Sequence, residues 1–158
     1  MTPIQLTQFI NKFLTPMTNI IMETGGTIDK YMGDAIMAFW NAPLDEPDHA
    51  ARAVGAALKI RQQLEELVPV WQAEAAEEGR SLPPVRIGMG LNTGDCVVGN
   101  MGSDNRFDYS CLGDTVNTAS RLEGQSKMYG TDLVVSEDTA VLAPDFACLL
   151  YTSDAADE

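Results

Sequence analysis

The stretch Thr27-Ile-Asp-Lys-Tyr-Met-Gly-Asp-Ala-Ile-Met-Ala-Phe-Trp40 constrains this chain more than any other. It reads as two short strands joined at Met32-Gly33, with an acid, Asp34, at the tip. The hairpin is flanked by helical patterns. Thr2-Pro-Ile-Gln5 is a capping box with proline at the first helical position. Leu6, Phe9, Ile10, Phe13, Met17, Ile20 and Ile21 then fall on one helical face. Pro16 is expected to kink that helix and Gly25-Gly26 to end it.

After the loop from Asn41 to Pro47, Asp48 is expected to cap a second helix. Its buried stripe is Val54, Leu58, Leu64, Leu67 and Trp71, with Pro69 breaking or bending it. Val85 to Asn92 alternates as a strand and Asp95 to Met101 is another, with Thr93-Gly94 as the turn between them. Phe107 to Cys111 is a short strand. Asp114 is expected to cap a third helix that reaches Met128 and stops at Gly130. Leu133 to Val135 is a strand and Glu137 to Leu142 a short helix. This order, α-β-β-α-β-β-β-α-β, implies an α+β domain with a sheet flanked by helices.

Charge narrows the function. The chain has 158 residues, 23 acids against 10 bases, and a formal net charge of -13. Nucleic acid and anionic membrane both need a basic face, so neither is an expected partner. No apolar run is long enough to span a bilayer. Cys96, Cys111 and Cys148 form no CxxC pair and no zinc spacing, so they are expected to be thiols in a reducing cytosol.

Four positions carry candidate chemistry, each with a plainer alternative. Asp34 after Gly33 is good turn chemistry in its own right. Lys30, on the same hairpin, reads equally as an exposed strand lysine. Asn117 and Arg121 lie four apart and share a face of the third helix, while Val116, Ala119 and Leu122 can face the core. By themselves they read as a polar helix face. Gly88, Gly90 and Gly94 lack the Rossmann spacing and precede a turn and a strand, and no Walker A sequence occurs. His49 is the only histidine, with no motif around it.

Taken together, Thr27 to Trp40 and Phe107-Asp-Tyr-Ser-Cys-Leu-Gly-Asp-Thr-Val-Asn-Thr-Ala-Ser-Arg-Leu-Glu123 resemble the catalytic domain of the class III nucleotidyl cyclases. The resemblance runs from residue 1 to about 147. It implies a ferredoxin-like core with an antiparallel-rich sheet and its first strand missing. It also implies conversion of ATP to cyclic AMP and pyrophosphate by an adenylyl cyclase, in intracellular signal transduction. Asp34 is then one of two aspartates that hold two Mg²⁺ or Mn²⁺ ions. The other lies upstream in the family, in a strand reading roughly Phe-x-Asp-Ile-x-Gly-Phe-Thr, and this chain contains no such segment.

Lys30 becomes the base-reading lysine, donating to adenine N1. Ser110, seven residues before Asn117, stands where adenylyl cyclases usually carry Asp or Thr to accept from the adenine amine; a hydroxyl keeps the acceptor. Asn117 would orient the ribose, and Arg121 would stabilise charge on the α-phosphate. The family builds two shared sites in a head-to-tail homodimer, in the cytoplasm or on the cytosolic side of a membrane-anchored parent. Two other readings stay open. One is a catalytically inactive nucleotide-binding or dimerisation module, and the other is a guanylyl cyclase, which the serine at 110 keeps in view.

Both ends carry expectations of their own. Residues 148 to 158 match the translation of a transposase-type sequencing adapter and are expected to be a read-through tail, leaving residues 1 to 147 as a partial catalytic domain. Met1 is expected to be an internal methionine. The family's C-terminal strands, with a phosphate-binding lysine, are expected to be missing as well. Open strand edges and a marginal fold would follow.

Overall fold

A computed structural model describes residues 2–149. Helix α1 spans Pro3–Glu23, and the hairpin is β1 (Thr27–Met32) with β2 (Ala35–Phe39). Helix α2 (His49–Glu77) leads to β3 (Met89–Leu91), β4 (Val97–Ser103) and β5 (Arg106–Leu112). Helix α3 (Asp114–Tyr129), β6 (Leu133–Val135), α4 (Glu137–Leu142) and a 3-10 turn at Pro144–Leu149 complete the order. The expected tail lies almost wholly outside the described residues.

The capping box forms. Gln5 N–H donates to Thr2 Oγ1 at 3.3 Å, and Thr2 N–H donates to Gln5 Oε1 at 2.8 Å. Pro16 interrupts neither the helix nor its buried stripe of Phe13, Met17, Ile20 and Ile21. Pro69 does not break α2, which continues to Glu77. Its real stop is Gly79, at φ 67°, where Gly79 N–H returns to Ala76 O at 3.0 Å and Arg80 N–H to Ala75 O at 2.8 Å. A left-handed residue just past the last turn closes such a cap, and glycine takes that conformation without a Cβ clash.

Two expected caps are corrected. Asp48 makes no capping bond; its carboxylate accepts from Arg52 Nε at 2.8 Å instead. Asp114 lies in the first turn of α3, and Gly113 is the N-cap.

The core is a helix pair packed on the hairpin. Phe13, Met17, Ile20 and Ile21 of α1 meet Ala56, Ile60, Leu64 and Trp71 of α2. Phe9 and Phe13 set their ring edges against Trp71, with centroids 5.7 and 6.4 Å away. Ile28, Ile36, Ala38 and Trp40 cover this cluster from the hairpin side. A smaller cluster of Ala50, Val54 and Ala143 lies under Leu91, Val135 and Phe146. Of the stripe expected on α2, Leu58 and Leu67 are only half buried, and alanines fill much of the contact.

The strands form three two-stranded ladders among the described residues: β1 with β2 and β4 with β5, both antiparallel, and β3 parallel with β6. The expected β3–β4 hairpin across Thr93-Gly94 is therefore wrong. Alternation at 85–92 did report burial, since Val85, Ile87 and Met89 all pack on the main core. It could not report a partner, and only Met89–Leu91 finds one, in β6. A period of two specifies which way side chains point; the ladder depends on a second strand.

Candidate active site

The hairpin turn is Gly33-Asp34, with Met32 opposite Ala35. Gly33 takes φ 64° and Asp34 does not, the pattern of a two-residue turn that accepts glycine first. Asp34 is exposed at the tip, and among the described residues its carboxylate has no hydrogen bond or ion pair. No group of three or more His, Cys, Asp or Glu side chains among those residues could hold a metal ion. One exposed carboxylate does not hold Mg²⁺ by itself, because that ion needs near-octahedral oxygen ligation. The described residues therefore do not fit a two-ion site.

Lys30 and Ser110 lie on different hairpins, yet one residue joins them. Asp29 is the side chain that sequence reasoning missed. Ser110 Oγ donates to the two Asp29 oxygens at 3.0 and 2.8 Å, and Cys111 N–H donates to Oδ2 at 2.9 Å. Lys30 Nζ lies 3.5 Å from Asp29 Oδ1. The Asp29 side chain is fully covered while that of Lys30 is 49% exposed. Ser110 is buried as well. The ring pair Phe39–Tyr109, with centroids 5.8 Å apart, ties β2 to β5 beside this cluster.

The thiol next door responds to the same surroundings. Cys111 is pushed up to about 12, first by burial, then by a hydrogen bond with the Cys96 thiol, with the Asp29 carboxylate adding to the rise. It is an inert, protonated thiol at neutral pH.

Asn117 and Arg121 are both exposed on α3, and among the described residues neither side chain is hydrogen-bonded or ion-paired. Among the described residues no hydrogen bond or ion pair links either of them to Lys30, Ser110 or Asp34. Thr115 anchors the start of α3: its hydroxyl donates to Asp95 O at 2.7 Å, and its carbonyl accepts from Asn92 Nδ2 at 3.0 Å. The candidate residues thus fall into two groups: Lys30 and Ser110 meeting at Asp29, and Asn117 and Arg121 on α3.

The family model for the adenylate and guanylate cyclase catalytic domain matches residues 1–152. Adenylate cyclase 1 of Rhizobium meliloti is 35% identical over 85% of this chain and 19% of its own length. The adenylate cyclase of Anabaena cylindrica is 36% identical over 87% of this chain and 26% of its own. Among solved structures, the adenylyl cyclase CyaB from P. aeruginosa has a TM-score of 0.79 and 34% identity, covering 92% of this chain and 71% of that one. The guanylyl cyclase Cya2 gives 0.78 and 33%, covering 90% and 68%.

The chain belongs to the adenylate and guanylate cyclase catalytic domain family. It spans about a fifth to a quarter of the length of these two adenylate cyclases. Domains of this family generally use divalent metal ions, bind a nucleotide substrate and typically dimerise. No helix among the described residues is long and apolar enough to cross a membrane.

Proposed function

We propose that the protein is an adenylyl cyclase of the cytoplasm that converts ATP to cyclic AMP and pyrophosphate. The 3'-oxygen forms a bond to the α-phosphorus as its proton leaves, and the bond from that phosphorus to the bridging β-phosphate oxygen breaks. The observation that carries this reading is the meeting of Lys30 and Ser110 at Asp29, although they are eighty residues apart in the chain. Lys30 offers a donor to adenine N1, and Ser110 an acceptor to the 6-amino group.

Asn117 orients the ribose. Arg121 stabilises charge growing on the α-phosphate, for which a planar, permanently charged fork is suited. Lys30 stands on β1 and Asn117 and Arg121 on α3, and a head-to-tail homodimer would complete each site with both. Asp34 would supply one carboxylate ligand to a Mg²⁺ or Mn²⁺ ion arriving with the nucleotide; a lone carboxylate does not hold such an ion by itself.

The test is product formation from ATP and from GTP with Mn²⁺ or Mg²⁺, read as cyclic AMP and cyclic GMP. Cyclic AMP in clear excess supports the reading, and cyclic GMP in excess would make the protein a guanylyl cyclase. The lone carboxylate at the hairpin tip favours one other reading, a nucleotide-binding module without turnover. Tight ATP binding with no product from the full-length protein would establish it.

A further inference from the structure

We propose that Asp29 sets base specificity by making Ser110 an obligate acceptor beside Lys30, an obligate donor. The proposal rests on the adenylyl reading and deepens it.

Ile28 pairs with Ala38 and Lys30 with Met37, so Asp29 is an extra residue in β1, a β-bulge. Consecutive side chains on a regular strand point to opposite faces, and a bulge re-aims one of them. That is how neighbours Asp29 and Lys30 reach the same point, 3.5 Å apart.

The hydrogen-bond inventory does the rest. A carboxylate only accepts, so the single Ser110 hydroxyl hydrogen is committed to Asp29, shared between oxygens at 3.0 and 2.8 Å. Towards a ligand Ser110 then presents lone pairs alone. The Lys30 ammonium has donors and no acceptor. The Cys111 N–H bond to Asp29 Oδ2 holds β5 in register with this pair. A donor next to an acceptor complements adenine, which offers N1 as acceptor and a 6-amino donor. Guanine offers the reverse, an N1 donor and a 6-oxo acceptor. A free serine hydroxyl could turn to suit either base; Asp29 removes that choice.

The test uses this chain with fluorescent anthraniloyl-ATP and anthraniloyl-GTP titrated in the presence of Mn²⁺, and circular dichroism to verify folding. In Asp29→Asn the amide can donate to Ser110 and release its hydroxyl hydrogen towards the base. GTP binding should strengthen, and the ATP preference should fall by about tenfold or more, the discrimination expected of one good base contact. A structural role would weaken both nucleotides together. Ser110→Ala should lose a similar preference, and the double variant should lose no more than Ser110→Ala alone, because Asp29 acts through Ser110.

A folded Asp29→Asn with unchanged preference, or with both affinities reduced equally, would overturn the inference and leave the adenylyl reading standing. If Asp29→Asn does not fold, a retained ATP preference in Ser110→Ala overturns it, and a lost one supports it. A wild-type chain that binds neither nucleotide, or prefers GTP, overturns the adenylyl reading and this inference with it.

Discussion

At Arg121 the side chain is exposed and, among the described residues, bonded to nothing, so its replacement should alter chemistry and not stability. Arg121→Ala in the full-length protein should lower kcat by about 10²–10³-fold or more, the usual cost of removing a transition-state charge contact. Its unfolding midpoint should move by no more than about 0.5 kcal/mol in free energy. An unfolded variant would sink the role given to this residue. Cys111 supplies a second residue-scale expectation. Its thiol is held up at about 12 against an ordinary 9.0, so the neutral form is favoured in the folded state. That contribution is fully present below pH 9 and is lost as pH rises from there through 12. At pH 8 iodoacetamide should label exposed Cys96 and spare Cys111, which peptide mapping would reveal. Lys30, Asp34, Asn117 and Arg121 could be singled out from the residues and their family pattern. Asp29 could not, since its role comes from a bulge and from a bond across eighty-one residues of chain.

Elements depend on how closely they approach one another. A Cβ added at Gly90 in β3 would collide with the backbone of α3 at Glu123 N and Ala119 O. Backbone cannot move aside as a flexible side chain can. Gly90→Ala should therefore destabilise by about 1–3 kcal/mol or more, measured by denaturant unfolding. An unchanged midpoint would mean that α3 does not pack on β3 as described. Thr2→Ala should cost about 1 kcal/mol by breaking the capping box, with no effect on nucleotide binding. Helix ends were legible where a side chain or a glycine acts locally, as at Thr2 and Gly130. Asp48 misled because it had a stronger partner one turn away in Arg52. The alternation at 85–92 misled about pairing because β3 pairs with β6, across a connection that holds a hairpin and α3.

For the whole molecule, the placement of Lys30 on β1 and Arg121 on α3 makes shared sites directly testable. Lys30→Ala and Arg121→Ala should each be inactive in the full-length protein. Mixed and allowed to exchange subunits, they should recover about a quarter of wild-type activity, because half the dimers then carry one intact site of two. No recovery would argue against sites built from two chains. The excess of 23 acids over 10 bases, legible at once, bears on partners and not on fold. By itself the sequence determined the helices, the β1–β2 hairpin and the family, because periodicity, capping and turn chemistry act within a few residues. Tertiary structure alone decided the pairing of β3 with β6 and the Asp29–Ser110–Lys30 cluster. Those depend on which distant backbone lies alongside, and one chain's local pattern does not encode that choice.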